Sequence, residues 1–229
     1  MIYVITIIIY RSIRIASGKT EAVKKLLFAV LMLVSSVCFA DSLSDSLNRI
    51  ESEWATIYYG LPKQKQQTAY PVLLDKLQQL AKTYPNDAGV IYWQALIKAA
   101  AADHQNPLTA LQTVNEVRDL LTKAIAINPQ VMNGAAYVVL GTLYDKVPSW
   151  PIAFGNDNTA KTMLETALKI NPNGIANNYF YGKFLLSHDD QKAAEHYFNL
   201  ALAAPIRPEQ PYADQQMKLK VQHALEKIN

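Results

Sequence analysis

The chain has 229 residues, 50% of them apolar and 18% charged, with a formal net charge of +3. That balance excludes wholesale disorder and collagen-like repetition. A single Cys excludes an internal disulfide network and a Cys-based zinc cluster, and four scattered His leave metal chemistry little to work with.

The amino-terminal segment reads as an address. Lys24 and Lys25 precede an apolar run from Leu26 to Val34, then Ser35, Ser36, Val37, Cys38, Phe39 and Ala40, and then the polar stretch from Asp41 to Asp45. This is the basic, apolar, small-residue order of a secretory signal. The 15 residues from Leu26 to Ala40 contain two serines, whereas spanning a bilayer takes roughly 20 apolar residues. Cys38 and Ala40 supply the small side chains ahead of a cleavage site, so cleavage is expected after Ala40, and residues 1–40 form the signal region. Ser35-Ser36-Val37-Cys38 fits a lipoprotein signal poorly. Met1 to Tyr10 is a second apolar stretch, and Val23 followed by two lysines has the form of an ordinary signal start. Residues 1–22 are therefore expected to be a mis-assigned start, the rival reading being an amino-terminal membrane helix that anchors the protein. Without residues 1–40 the chain holds 17 basic and 18 acidic residues, a net charge of −1. The basicity belongs to the signal, and neither a nucleic-acid footprint nor a polybasic membrane patch remains.

From Asp41 onward the periodicity is helical, and residues 41–229 read as a single α-helical domain. A pattern recurs four times: apolar residues at i, i+3, i+4, i+7 and i+8, with a proline near i+12. The copies are Leu73, Leu77, Leu80, Ala81 with Pro85, where Lys76 breaks one position; Val117, Leu120, Leu121, Ala124, Ile125 with Pro129; Ala160, Met163, Leu164, Ala167, Leu168 with Pro172; and Ala194, Tyr197, Phe198, Ala201, Leu202 with Pro205. These offsets lie on one face of a 3.6-residue helix that the proline stops. The copies start 44, 43 and 34 residues apart. Gly141 with Tyr144, and Gly182 with Leu185, stand where the first helix of a helix-turn-helix repeat carries its small residue and large partner. Gly182 lies 12 residues before Ala194, the spacing of a tetratricopeptide repeat.

The fold class expected is all-α, with tetratricopeptide-like helix-turn-helix repeats in a right-handed superhelical array. About nine helices are expected, near 43–58, 69–84, 87–102, 108–127, 131–146, 158–170, 174–187, 190–203 and 211–228. Asn106-Pro107 supplies a cap and a first-turn proline; Asp157, Asn158 and Thr159 offer a cap to the sixth helix, and Asp189-Asp190 to the eighth. The polar last helix is expected to cap the stack.

Functional signals are aromatic rather than catalytic. The loop from Lys146 to Asp157 carries Trp150, Pro151, Ile152 and Phe154, a costly set to leave in water, so it should fold back on the helices or meet a partner. Consecutive residues on a helix point about 100° apart, so at least one of Tyr179, Phe180 and Tyr181 must reach a second surface. Asn177 and Asn178 beside them offer amide hydrogen bonds. The candidate partner or ligand surface is Tyr144, Trp150, Pro151, Phe154, Asn178 and Tyr181. No H-E-x-x-H, Walker-type loop or G-x-S-x-G occurs. His188 and His196 cross a turn and form no helical metal pair, and His104, His188 and His223 read as solvated. The expectation is a non-enzymatic protein without cofactor or metal.

The stretch Leu143-Tyr144-Asp145-Lys146-Val147-Pro148-Ser149-Trp150-Pro151-Ile152-Ala153-Phe154-Gly155 resembles the insertion of exported bacterial tetratricopeptide-like proteins similar to the TRAP-transporter T-component (TatT-like) family. So do Asn171 to Ile175, Asn178 to Gly182, Ala204 to Pro208 and Ala213-Asp214, the whole covering roughly residues 85–215. The resemblance implies an all-helical periplasmic protein whose partner is an extracytoplasmic solute-binding protein or another envelope component, with no catalytic residues to carry over. Two functions follow as expectations. One is a periplasmic interaction module that binds a protein or peptide partner, with no nucleic acid and with membrane contact only through an uncleaved signal. The other is an accessory subunit of a TRAP-type solute transport system that holds a small apolar ligand.

Overall fold

The computed structural model describes residues 42–228. The expected signal, its start and its cleavage site lie outside the described residues. Within them nine α-helices follow in order: α1 (Leu43–Gly60), α2 (Lys63–Thr83), α3 (Ala88–Ala102), α4 (Pro107–Ile127), α5 (Ala135–Lys146), α6 (Asp157–Ile170), α7 (Ile175–Ser187), α8 (Gln191–Ala203) and α9 (Pro211–Glu226). The all-α tetratricopeptide-like array is as the sequence predicts.

Helices α3 and α4, α5 and α6, and α7 and α8 form the most closely packed pairs. The second helix of each pair, and α2 before them, carries the repeated stripe into the core. Leu73 and Leu77, Val117, Leu121 and Ala124, Ala160, Leu164 and Ala167, and Ala194, Phe198 and Ala201 are all buried. The repeat is thus a record of outer helices that must each bury one face against a neighbour. The paired inner helices meet them at glycines. A Cβ on Gly141 would lie 2.8 Å from Leu164, and one on Gly182 would lie 2.7 Å from the Phe198 ring. Only a residue without a side chain allows that approach.

Three local departures from the sequence expectation have physical causes. Helix α2 starts at Lys63, six residues ahead of the predicted 69, because the α1–α2 turn is tied by the Gln66 side chain, which donates to the carbonyls of Tyr58 and Leu61 at 3.1 and 2.9 Å. It then runs through Pro71 at the loss of one intrahelical bond. Helix α5 starts at Ala135 rather than 131, because Met132, Asn133 and Gly134 adopt φ of 48°, 53° and 82°. Left-handed backbone at Met132 is costly, and Gly134 is required there because a Cβ would meet Ile170 at 3.2 Å. Third, the cap of α6 is Asn156, not Asp157, Asn158 or Thr159: its Oδ1 accepts from the Thr159 amide at 2.8 Å, while Asp157 is already helical. Asn156→Ala should cost about 1 kcal/mol in urea unfolding, as losing such a cap does.

The last helix does more than cap the stack. Helix α9 packs on α8 and also on α1, so the two ends of the array meet. Gln210 accepts from the Ser52 hydroxyl at 3.1 Å and donates to the Asn48 carbonyl at 2.9 Å, across some 160 residues of chain. Closure turns the inner face of the array into a partly enclosed hollow.

Candidate functional site

That space is a cavity of about 510 Å³. Its walls come from α1, α3, α5, α7 and α9, the inner helix of each pair and the two closing helices, with the Met132–Asn133 turn and the loops after α6 and α8 at its margins. The aromatic wall is built at helical spacing on α1: Trp54 and Tyr58, one turn apart, stack with ring centroids 4.9 Å apart at 11°, and Tyr59 meets Tyr58 edge-on at 4.9 Å. Trp93 of α3 approaches Trp54 at 6.0 Å, and Phe180 closes the wall from α7. The indole N–H groups of Trp54 and Trp93 are buried without a nitrogen or oxygen acceptor. Burial raises the Tyr59 and Tyr92 hydroxyls well above the ordinary phenol range.

The charged residues of the lining are Glu51, Asp103, Arg207, Asp214 and Lys220. Arg207 holds Asp214 through its Nε and NH2 groups, with NH2 to Oδ1 at 2.7 Å, and reaches Glu51 Oε1 at 2.7 Å. Burial works against the Arg207 charge, but the two carboxylates outweigh it and hold its pKa above the ordinary value. For Glu51 burial dominates and the pKa is raised despite Arg207. Lys220 of α9 differs. Its Nζ lies 4.1 Å from the Tyr58 ring centroid and 5.0 Å from that of Tyr59, and donates to the Tyr58 hydroxyl at 2.9 Å. Among the described residues no carboxylate pairs with it within 4 Å, so this cation is held by two ring faces and the Tyr58 hydroxyl.

None of the six candidate residues read from sequence lines the cavity. Asn178 is buried, with its amide donating to the carbonyls of Pro172 and Gly174 at 2.7 and 2.9 Å, so it holds the turn into α7. Tyr181 is buried against Tyr197 at 4.7 Å and donates to Glu165 at 3.1 Å. It is Phe180, beside Tyr181, that reaches the second surface. Tyr144 and Phe154 meet edge-on at 5.2 Å, with the Arg118 guanidinium 4.8 Å over the Phe154 ring. That contact folds the far limb of the loop back on the array, helped by the Gly155 and Asn156 amides, which donate to Pro148 and Tyr144 carbonyls at 2.9 Å each. The near limb points outward: Trp150 is 85% exposed and Ile152 67%, with Pro151 between them exposed as well. The structure therefore splits the six into a buried pair, a loop-folding pair and an exposed pair. The cavity residues Trp54, Tyr58, Tyr59 and Lys220 were missed, although the i, i+4 pairing of Trp54 with Tyr58 was a signal for one aromatic face.

Fold and site define a helical repeat protein of tetratricopeptide type whose inner face holds a partly enclosed cavity. A thermophilic TPR protein of Thermus thermophilus shares this fold, with a TM-score of 0.51 and 16% identity over 78% of this chain and 82% of that one. The profile of the TRAP transporter T-component family matches residues 56–226, and the chain belongs to that family. No curated protein matches it. The family makes the protein a transport-associated helical module. No described helix is long and apolar enough to cross a membrane.

Proposed function

We propose that the protein is an exported, periplasmic accessory subunit of a TRAP-type transport system. In this reading it holds a small ligand, apolar in its body and anionic at one end, in the cavity closed by α1 and α9. It does no chemistry on that ligand. The observation that carries the reading is the cavity itself: about 510 Å³ is the size of a small-molecule site, and such sites combine apolar walls with a few polar groups. Lys220 is the polar group in question, because a cation over ring faces with no carboxylate partner is free to take one from a ligand.

The test uses two fluorescent probes, anilinonaphthalene sulfonate and its uncharged analogue phenylnaphthylamine. Both are expected to bind saturably at one site. Ala99→Phe, which fills the cavity, should weaken both by about tenfold or more, a loss of about 1.4 kcal/mol. Lys220→Met should weaken only the sulfonate. Absence of saturable binding of either probe would overturn the reading.

A second reading rests on the exposed limb of the loop. Trp150 and Ile152 offer a rigid apolar surface of the kind that anchors protein partners, an extracytoplasmic solute-binding protein being the partner the family suggests. Trp150→Ala should change stability by less than about 0.5 kcal/mol, as surface changes do. It should also abolish capture of that binding protein in a cross-linked pull-down from envelope extract. Retention in the mutant would remove the loop as a contact.

A further inference from the structure

The loop is tethered at both ends by acidic residues, Asp145 near the end of α5 and Asp157 at the first position of α6. Folding brings a third residue between them: His188, just past the end of α7. One ligand-competent atom from each of the three lies within 4.8 Å of the others.

The ring has a defined proton. His188 Nδ1 lies 2.9 Å from the Phe184 carbonyl, and a carbonyl only accepts, so Nδ1 carries the hydrogen. In the neutral ring Nε2 then presents a lone pair, and it faces Asp157 Oδ2 at 3.5 Å. Two electron-pair donors facing each other at that distance need a positive charge between them, either a proton on Nε2 or a metal ion. Asp145 adds a third donor within the 4.8 Å of the cluster: its carboxylate is nearly buried, with Oδ2 paired to Lys146 at 2.6 Å and Oδ1 3.9 Å from His188 Nδ1, the protonated side of the ring. A backbone carbonyl fixing one imidazole nitrogen so that the other is aimed is the usual support of a metal-binding histidine. Ligand atoms around tetrahedral Zn²⁺ stand about 3.3 Å apart, close to the His188–Asp157 separation.

We infer that Asp145, Asp157 and His188 form a site for a divalent late first-row ion such as Zn²⁺, which clamps the two ends of the Val147–Asn156 loop to the end of α7. One imidazole and two carboxylates suit such an ion better than Ca²⁺ or Mg²⁺, which favour sites made entirely of oxygen. The site lies on residues apart from the cavity lining, so it stands or falls independently of the ligand reading.

The experiment is isothermal titration of the chelator-stripped protein with Zn²⁺, paired with thermal unfolding. One equivalent is expected to bind, and the unfolding midpoint should rise with free Zn²⁺ as a ligand of the folded state requires. Asp157→Asn and His188→Ala should each weaken binding about tenfold or more. His196→Ala, at an exposed histidine of α8 outside the cluster, should leave it unchanged, and Mg²⁺ should give no saturable heat. Because the His188 ring packs on Phe184 at 4.2 Å, Asp157→Asn keeps the test decisive if His188→Ala loosens the fold. Binding that is absent, or equally strong in Asp157→Asn, would overturn the site and leave the cluster as a proton-mediated contact.

Discussion

Phe198→Ala is expected to lower the unfolding free energy by about 3–5 kcal/mol, the cost of deleting a large aromatic ring from a packed core. Phe198 is fully buried on α8 and meets Tyr179 at 5.9 Å. Its position against Gly182 makes a sharper result available. Gly182→Ala would push a methyl to 2.7 Å from the Phe198 ring and 3.2 Å from the Ala194 carbonyl, and overpacking of that kind costs about 1–3 kcal/mol. In the Phe198→Ala background the ring is gone, so the same substitution should be nearly neutral and should fill part of the space. The double-mutant cycle in urea should then give a coupling of about 1–3 kcal/mol. Additive costs would mean that the two helices do not depend on this contact.

The second large effect is expected at the closure. Arg207→Met should destabilise the protein by about 3 kcal/mol, the lower end of the range for breaking a buried ion pair, because the Arg207 side chain is itself 42% exposed. The substitution strands the buried carboxylates of Glu51 and Asp214. Its pH dependence has a definite sign. The Glu51 pKa is raised above the ordinary carboxylate value, burial being the largest cause. An acid whose folded pKa exceeds its unfolded one binds its proton more tightly when folded. Its contribution is fully present below the unfolded pKa and is lost as pH rises through the folded one. Removing Arg207 removes the influence that opposes the rise, so the window widens upward. The difference in stability between Arg207→Met and the parent should therefore shrink when urea unfolding is moved from neutral pH to about pH 5. A difference that is the same at both values would exclude Glu51 as its source.

Much of this architecture was legible in the chain because its signals are local. A 3.6-residue stripe, a proline stop and a glycine in the facing helix act within a few turns, so the four outer helices and their inner partners could be read without coordinates. The family resemblance lay in the same local stretches, the inserted loop and the Asn-Pro-Asn-Gly turn. The candidate site was less legible. Asn178 and Tyr181 looked available as a polar and an aromatic group beside a loop, but the turn into α7 uses the Asn178 amide and Glu165 takes the Tyr181 hydroxyl.

By itself, then, the sequence determined the helices, their pairing and the repeat, since each follows from which residues on one short segment must leave water. The return of α9 to α1 was decided only in three dimensions. It depends on Gln210 reaching Asn48 and Ser52, and on Arg207 reaching Glu51. No periodicity encodes contacts between residues some 160 positions apart. The cavity between Trp54, Phe180 and Lys220, and the meeting of His188 with Asp145 and Asp157, follow from how the array closes and how its turns fold.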